Sequence, residues 1–510
     1  MSEIAKWYSN KSVFVTGATG FVGKCLVEKL LRDCPDIATI YIIIRPNKAK
    51  GFSFEQRKME YTNHVTFSRL RDTNPSALDK IHIVEGDICQ PNLGMSNSDR
   101  KLIAETASII FHSAADVRFD RRLIDAYRTN VSGSKNVLDF ATEFKNILAF
   151  VLVSTAFSQP SDIGKLEEKH YETSITPELM ERIIENIDED TLDILTPKIL
   201  ENHANTYGFT KGLVEQLVYD YSDQFPTVIA RPPIIITSWK EPLSGYTEGI
   251  HGINGWALAS GRGVLRSMLC QEEYPCNVMP ADIIVNGIIV VAVECGKCHE
   301  KRLEEEADAV ETIKSFEGPM YFNIVEENPL NWKYYLQLCV KPTHLKYPFD
   351  MALWYPGGSF KKNRLHHYIC IVLFQIIPAL LVDLLLIILR HPPFLLKVQR
   401  LVFAGSQALE YYMMELFVFK ASAYNAVCSR LNNIDRQIFY DRMTMDMDEY
   451  LQNAACGTKL YLCKEKLENI PKARIFCRRL RFLDIFSKTL MTYWIAKKVL
   501  SYFNVHLSIF

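Results

Sequence analysis

The chain has 510 residues, of which 48% are hydrophobic and 23% are charged, and its formal net charge is -1. This length exceeds what one ordinary hydrophobic core accommodates, so we expect two or three domains. The balanced charge argues against nucleic acid as a partner and against an acidic substrate class. Thirteen scattered cysteines do not indicate a disulfide framework, and we find no signal peptide at the N-terminus. We therefore expect the soluble part of the chain to face a reducing cytosol.

The first half of the chain is organised around residues 13–23, which read VFVTGATGFVG. An apolar strand is predicted at 12–15, and apolar residues at helical spacing predict a helix over 24–32. Glycines between a strand and a helix permit a tight turn, and the helix N-terminus directs N–H groups toward an anion. We predict a dinucleotide-binding loop here rather than a chance glycine turn. Its cofactor-binding residues are predicted to be Gly17, Thr19, Gly20, Phe21 and Gly23.

The second predicted strand, residues 39–44, ends at a basic tetrapeptide that begins with Arg45 and closes with Lys48. An acid at this position would bind the ribose 2′-hydroxyl of NAD, whereas an arginine suits the 2′-phosphate of NADP. No acid stands there, so we predict NADPH as the cofactor, with Arg45 as the phosphate clamp and Lys48 as support. The alternative is a solvated basic loop.

Three further apolar strands are predicted at residues 81–85, 108–111 and 148–153. Strands alternating with helices indicate an α/β fold with a Rossmann-like, doubly wound parallel sheet. The connection at 158–205 is long and acidic, and its apolar residues have rough helical spacing. We expect a lid or an insertion there, and a plain surface excursion is the alternative.

Two of these strands end in residues suited to a cofactor. Asp87 and Ile88 follow the strand at 81–85, where a carboxylate could meet the adenine amino group; an ordinary turn aspartate is equally consistent. Ala114 and Ala115 follow the strand at 108–111, and small side chains let a cofactor approach the backbone closely. We include all four among the cofactor-binding residues.

The catalytic candidates are Tyr207 and Lys211, with the hydroxyl pair Ser154 and Thr155. The first two are four residues apart on a predicted helix, so both project from one face. A lysine ammonium one turn away stabilises a phenolate and lets the tyrosine act as a general acid or base. A hydroxyl at the end of the strand at 148–153 can hydrogen-bond a substrate carbonyl oxygen. We favour Thr155 for this role, with Ser154 as the close second.

Several segments together carry a family resemblance. TGATGFVG, the strand ending IIIRP, FHSAADVRFD, the strand ending VSTAFS, and NTYGFTK resemble the extended short-chain dehydrogenase/reductases. With ARPPII and KEPLSGYTEG in the same order, they are similar to the fatty acyl-CoA reductases, including insect-type members. The resemblance covers residue 12 to about 465. The family's cofactor and catalytic motifs fall on Gly17, Gly20, Gly23, Arg45, Ser154/Thr155, Tyr207 and Lys211.

The resemblance implies reduction of long-chain acyl-CoA by NADPH to a primary alcohol, through an aldehyde and with release of CoA. One alternative is a hydroxysteroid or sterol dehydrogenase of the same superfamily, and another is a catalytically silent nucleotide-binding scaffold. Cys295 to His299 matches a c-type haem attachment pattern, but neither export nor an axial partner is indicated. We predict no metal site.

The most hydrophobic stretch, residues 368–389, is long enough to span a bilayer but contains Gln375, Pro378 and Asp383. Three interpretations stay open: a single span, a re-entrant or interfacial hairpin, and a buried helix that lines an acyl tunnel. A single span with the lipid bilayer as partner is the leading one. A second apolar run at 486–510 suits an interfacial helix or a short anchor, with a buried terminal helix as the alternative.

We divide the chain into a reductase domain with its substrate-binding part at 1–350, a membrane-associated segment at 351–402, a helical C-terminal domain at 403–465 and an amphipathic tail at 466–510. The catalytic domain should face the cytosol from an endoplasmic reticulum or peroxisomal membrane. The preferred acyl chain and the organelle are not readable from the sequence, and a homo-oligomer stays open.

Overall fold

The computed structural model describes residues 2–45, 51–250, 252–308, 318–339, 345–440 and 445–507. Its strands are β1 (Ser12–Thr16), β2 (Ile40–Ile44), β3 (Ile81–Glu85), β4 (Ala107–His112), β5 (Ala149–Val153), β6 (Lys165–Leu166), β7 (Thr227–Arg231), β8 (Ile234–Ile236), β9 (Ser267–Leu269), β10 (Val278–Pro280), β11 (Met320–Asn323), β12 (Ser359–Lys361) and β13 (Val418–Phe419).

The first helices in chain order are α1 (Glu3–Tyr8), α2 (Phe21–Asp33), α3 (Phe54–Thr62), α4 (Ser68–Thr73), α5 (Asn97–Thr106), α6 (Leu123–Ala126), α7 (Gly133–Ala141), α8 (Pro177–Asn186), α9 (Glu189–Ile199) and α10 (Thr206–Asp220). The later ones are α11 (Gly252–Gly261), α12 (Ala281–Asp308), α13 (Trp332–Cys339), α14 (Arg364–Ile388), α15 (Leu395–Met414), α16 (Ser422–Arg430), α17 (Asn433–Ile438), α18 (Met447–Gly457) and α19 (Ile470–Leu507).

The chain folds into two compact units that interleave along the sequence. Unit 1 comprises Met1–Thr247, Pro275–Leu330 and Glu415–Asp446, and unit 2 comprises Glu248–Tyr274, Asn331–Met414 and Met447–Phe510. Unit 1 contains the main sheet and every predicted catalytic residue. The linear division at 350, 402 and 465 stays a prediction.

The main sheet of unit 1 has seven parallel strands in the order β11-β7-β5-β4-β1-β2-β3. The strand order reverses direction next to β1, which is the switch point where doubly wound sheets bind nucleotides at their carboxyl edge. The predicted fold class is confirmed. The five predicted strands occur within one or two residues of their expected bounds because each is a mostly apolar run between polar turns.

One face of this sheet carries a continuous row of Phe14, Ile110 and Phe150, in register across β1, β4 and β5. Helices α7 and α10 cover that row through residues such as Val137 and Leu213, which are completely buried. Helix α12 contacts α2, β5 and β7, and none of its residues belongs to this cluster, so it covers the opposite face. Helices on both faces explain why β1, β2, β5 and β7 are buried at every position rather than alternating between buried and exposed residues.

The long connection at 158–205 forms α8 and α9. Met180 and Leu192 from these helices are completely buried within the unit 1 core cluster. Arg122 pairs with two acids of α9, Glu189 at 2.9 Å and Asp193 at 2.8 Å. The segment is therefore an insertion packed on the core rather than a plain surface excursion.

Unit 2 is mostly helical, with one small sheet in which β9 pairs in parallel with β12. The apolar stretch at 368–389 lies in α14, and the terminal run belongs to α19. The first half of α19 buries Ala473, Cys477, Leu480 and Asp484 at helical spacing. Beyond Asp484 its side chains are exposed on every side as far as residue 501, so this half is not a buried terminal helix.

Candidate active site

The glycine loop begins where β1 ends. Gly17 has a φ of 71°, and a Cβ placed on it would lie 2.6 Å from the backbone nitrogen of Ala114. A Cβ on Gly23 would lie 2.3 Å from the carbonyl oxygen of Gly17, so a side chain is excluded at both positions. Gly20 is the N-cap of α2 and provides no side-chain cap. The loop thus keeps its backbone open to an anion at a helix N-terminus, as a dinucleotide requires.

The remaining loop candidates occupy different environments. Thr19 is exposed, and its carbonyl oxygen accepts a 2.9 Å hydrogen bond from the ammonium of Lys24. Phe21 is half-buried, with its ring 5.6 Å from that of Tyr246. Thr19 and Phe21 therefore both border the loop, but their side chains lie in different surroundings.

The end of β4 lies directly against this loop. The backbone N–H of Ala114 donates to the Thr16 hydroxyl at 3.4 Å, and Ala115 follows it, half-buried. Because Ala114 also limits the space at Gly17, the two predicted cofactor segments meet here. Arg45 directly follows β2 and is exposed, whereas Lys48 lies outside the described residues.

The two residues after β3 have separate surroundings. The Asp87 carboxylate accepts a 3.1 Å hydrogen bond from the backbone N–H of Cys89, as a turn aspartate does. Ile88 is only 8% exposed and packs in the core cluster. Its carbonyl oxygen accepts a 2.8 Å bond from the Asn136 amide. Any contact of Ile88 with a cofactor would therefore come from its backbone.

Tyr207 lies in the first turn of α10, which Asn205 caps by accepting a hydrogen bond from the Gly208 N–H at 3.0 Å. The Tyr207 ring lies 5.8 Å from that of Phe119, which belongs to the loop that follows β4. The same loop meets α10 a second time, because the Thr206 hydroxyl donates to the carbonyl oxygen of Arg121 at 3.0 Å. The predicted catalytic tyrosine is thus brought beside the loop that contacts Gly17.

Lys211, one turn further along α10, is completely enclosed. Its ammonium donates a 2.8 Å hydrogen bond to the carbonyl oxygen of Val153, the last residue of β5. Burial lowers the pKa of Lys211 to about 8, and the Glu215 carboxylate partly offsets that fall. The bond fixes α10 against the end of the strand that continues into Ser154 and Thr155.

The two neighbouring hydroxyls differ in their partners. The Ser154 hydroxyl donates a 2.5 Å hydrogen bond to the Glu215 carboxylate inside the protein. The Thr155 oxygen accepts a 3.2 Å bond from the backbone N–H of Phe157. An oxygen that accepts from the backbone keeps its own hydrogen for another acceptor, whereas the Ser154 hydrogen is already in use.

Glu215 and Arg231 form a buried pair that the sequence analysis missed. Their side chains are 4% and 3% exposed and approach to 2.6 Å, and Arg231 also donates to the carbonyl oxygens of Glu167 and Lys169. The available signal was an arginine at the end of the otherwise apolar strand β7, since a charge in a buried strand requires a partner.

A second missed group links the glycine loop to the helix after β4. The His112 ring is hydrogen-bonded at 2.7 Å to Thr16 on one side and at 2.7 Å to Ser134 on the other. Ser134 in turn donates to the carbonyl oxygen of Asn130, which lies in a π-helical turn, Tyr127–Ser132. The Asn130 amide donates to the Thr210 hydroxyl at 3.0 Å, which reaches α10. Burial lowers the pKa of His112 to about 3, and the Lys211 charge acts in the same direction.

Comparison with known proteins identifies the family of this chain. An NAD-binding family model described as male sterility protein matches residues 15–288, and a second model with the same description matches 374–465. The fatty acyl-CoA reductase wat of Drosophila melanogaster is 31% identical over 94% of this chain and 90% of its own length. Fatty acyl-CoA reductase 2 of Mus musculus is 32% identical over 94% and 90%. The chain belongs to the fatty acyl-CoA reductase family.

Solved structures of reductase domains share the fold of this fatty acyl-CoA reductase family member. The terminal R domain of the myxalamid PKS-NRPS pathway matches 89% of the chain and 92% of its own with a TM-score of 0.57 at 16% identity. The reductase domain of a nonribosomal peptide synthetase from Mycobacterium tuberculosis matches 89% and 92% with a TM-score of 0.54 at 15% identity. The chain is accordingly an oxidoreductase with a nicotinamide-binding domain.

Proposed function

We propose that the chain reduces long-chain fatty acyl-CoA to a primary fatty alcohol with NADPH, releasing CoA and passing through an aldehyde. The observation that carries the proposal is the hydrogen bond from Lys211 to the carbonyl oxygen of Val153. It places the ammonium one helical turn from Tyr207 on α10, against the strand end that continues into Ser154 and Thr155. A nicotinamide cofactor supplies the hydride when it is bound. Family membership along nearly the whole chain supports the acyl-CoA substrate.

In this proposal Tyr207 gives its phenolic proton to the substrate carbonyl oxygen. The Lys211 ammonium stabilises the phenolate that remains, because an adjacent positive charge favours the ionised phenol. The Tyr207 phenolate then takes back the hydroxyl proton of the hemithioacetal as the carbon–sulfur bond breaks, and the electron pair of that bond leaves with the CoA thiolate to give an aldehyde. A second hydride and a second proton then yield the alcohol, so two NADPH are consumed for each alcohol formed.

Thr155 is the proposed hydrogen-bond donor to the developing oxyanion. Its oxygen accepts from the Phe157 N–H, and among the residues that the structure describes no group accepts its hydrogen. Ser154, by contrast, is the proposed anchor of the strand end through Glu215. A hydroxyl oriented before the reaction stabilises charge without reorganising.

Arg45 is the proposed NADPH-selecting residue. It is exposed at the carboxyl end of β2, beside the strand that leads into the glycine loop, and no acid accompanies it there. A guanidinium binds a phosphate through paired charge-assisted hydrogen bonds. Lys48 is the proposed second cation, and Asp87, Ile88, Ala114 and Ala115 would line the same carboxyl edge with Gly17, Gly20 and Gly23.

We also propose that the protein works on a lipid bilayer, with catalysis on the cytosolic side of an endoplasmic reticulum or peroxisomal membrane. Within the part of the chain that the structure describes, Arg364–Ile388 is the helix that is long and apolar enough to cross a bilayer. Long-chain acyl groups partition into bilayers, so a membrane also concentrates the substrate.

Product analysis tests the reaction. Purified protein is supplied with acyl-CoAs of graded length and NADPH, and Tyr207→Phe is compared with Tyr219→Phe, a second tyrosine of α10 whose ring stacks on His170 at 4.1 Å. We expect alcohol, with two NADPH oxidised for each one, from the wild type and the Tyr219 variant, and almost none from Tyr207→Phe. Equal yields from all three would remove Tyr207 from the mechanism.

A further inference from the structure

Helix α14 has two different faces along its whole length. One face is buried and includes Gln375 and Asp383, which are 3% and 4% exposed. The members of this row are four residues apart, namely His367, Ile371, Gln375, Ala379 and Asp383. The other face is apolar and exposed, as in Leu381 at 61% and Ile388 at 76%. Between residues 368 and 389, Asp383 is the only charged residue, so the exposed face carries no charge.

The polar members of the buried row bind the rest of unit 2. Gln375 accepts backbone hydrogen bonds from Arg266 at 2.8 Å and Ser267 at 3.1 Å, and its amide donates to Gln399 of α15 at 3.1 Å. The Asp383 carboxylate accepts three backbone N–H bonds at the start of α15, between 2.9 and 3.0 Å. The acid that seemed costly in a membrane is therefore the N-terminal cap of the next helix.

These contacts determine what lies beside the middle of α14. Arg266 pairs with Asp484 at 3.6 Å and donates to the carbonyl oxygen of Tyr355 at 2.8 Å. The adjoining strand β9 pairs with β12, so non-helical backbone also lies beside the middle of the helix. If α14 crossed a bilayer, this ion pair and this non-helical backbone would lie at the depth of the hydrocarbon. Hydrocarbon makes charges costly and offers non-helical backbone no hydrogen-bond partners.

We infer that α14 lies in the plane of the membrane, with its exposed apolar face in the acyl region of one leaflet. Its buried row faces the rest of unit 2. This inference rests on the proposed membrane association and replaces the single span with a monotopic arrangement. The helix has 25 residues, which corresponds to about 37 Å along the surface at 1.5 Å per residue. Interfacial helices bury one face about 5–10 Å deep.

Two observations identify the occupant as a bilayer with anionic lipids rather than a protein. Protein interfaces are typically only about 56–65% apolar, whereas the exposed face of α14 from residue 368 to its end at Ile388 is apolar without interruption. Cationic residues also flank both ends of the helix: Lys361, Lys362 and Arg364 at one end, and Arg390, Lys397 and Arg400 at the other. A spanning helix favours such charges at one end, while an in-plane helix places both ends among the same headgroups.

The topology is tested by labelling both ends of α14 in the full-length chain. Two variants of the full-length chain, Lys362→Cys and His391→Cys, are each incorporated into sealed microsomes. The microsomes are then treated with a membrane-impermeant polyethylene glycol maleimide. Each gel shift is read against the parent chain, which has native cysteines, and against detergent-opened vesicles. Lys145→Cys, an exposed lysine of unit 1 whose side chain is 63% accessible, reports the cytosolic side.

In sealed vesicles, we expect both end variants to gain the same additional label as Lys145→Cys. For each variant, the label in sealed vesicles should lie within about 20% of the label after detergent has opened them. Label at one end alone would establish a span and overturn the in-plane arrangement, and label at neither end would also overturn it. Flotation on a sucrose gradient separates this result from failure of the membrane proposal. A chain that does not float with vesicles containing phosphatidylserine defeats both proposals, whereas a floating chain labelled at one end defeats only the topology.

Discussion

The Ser154 hydroxyl donates a 2.5 Å hydrogen bond to the Glu215 carboxylate, while the next hydroxyl along the chain, that of Thr155, accepts from the backbone. Adjacent residues with the same functional group therefore have different surroundings. Ser154 belongs to a buried network that continues through Glu215 to Arg231, whereas Thr155 does not. This difference separates a structural role from a catalytic one and can be measured.

Thr155→Val and Ser154→Ala should fail in different ways. Loss of one oxyanion donor typically lowers kcat by roughly 10²–10³, and we expect a loss of this size for Thr155→Val. This variant also leaves the buried Phe157 N–H without its acceptor, so its free energy of unfolding should fall by about 1–3 kcal/mol as well, and kcat is the quantity that separates the two variants. Ser154→Ala removes a hydrogen bond to a buried charge and should lower the free energy of unfolding by about 1.5–3 kcal/mol, with kcat reduced less than tenfold. Steady-state kinetics and thermal unfolding of both variants check this. The reverse pattern would assign the oxyanion role to Ser154.

Lys211 predicts opposite pH trends for activity and stability. With a pKa of about 8, the ammonium is lost from the folded protein as the pH rises through 8. We expect kcat/KM to fall about tenfold for each pH unit above that point, because only the charged form supports the tyrosine. Stability should rise instead, since between about pH 8 and 10.4 the unfolded chain binds more protons than the folded one.

The matched variant for this prediction is Lys211→Arg, which stays charged across the range. Its kcat/KM should be lower overall but should lack the descending limb that begins near pH 8. Its unfolding free energy should not share the rise of up to about 3 kcal/mol expected for the wild type. A wild-type profile that is flat to pH 10 would contradict the assignment of Lys211.

His112 predicts an acid-sensitive contribution to stability. Its pKa is lowered to about 3 in the folded protein, so the unfolded chain binds the extra proton between about pH 6.5 and 3. Its contribution to stability is therefore fully present above pH 6.5 and is lost on acidification, by about 1.4 kcal/mol per pH unit. His112→Gln keeps hydrogen-bonding groups near Thr16 and Ser134 without a titrating group. Between pH 7.0 and 5.0, the thermal midpoint of this variant should fall less than that of the wild type.

Local patterns explain why the sheet and the glycine loop could be predicted from sequence. The strands are mostly apolar runs. Contacts within the loop and with the neighbouring Ala114 exclude any side chain at Gly17 and Gly23. The partners of Ser154 and Gln375 could not be predicted, because Glu215 is 61 residues away and Ser267 is 108 residues away. Periodicity locates a buried face but does not indicate which distant group meets it. For the same reason, the sequence does not show that Asp383 accepts hydrogen bonds from the start of α15.

Arg45 predicts a change in cofactor preference. The residue is exposed directly after β2, in a position to meet the 2′-phosphate that distinguishes NADPH from NADH. Loss of a charge-assisted hydrogen-bond pair costs about 1.5–3 kcal/mol, so Arg45→Ala should raise the KM for NADPH by roughly 10–150-fold. The KM for NADH should change less than about threefold, since that cofactor has no phosphate for the guanidinium to bind. The control is Arg57→Ala, which removes a partly buried arginine paired with Glu60 at 2.6 Å and should alter neither value. Equal losses for both cofactors in Arg45→Ala would show that this arginine supports the loop rather than selecting the phosphate.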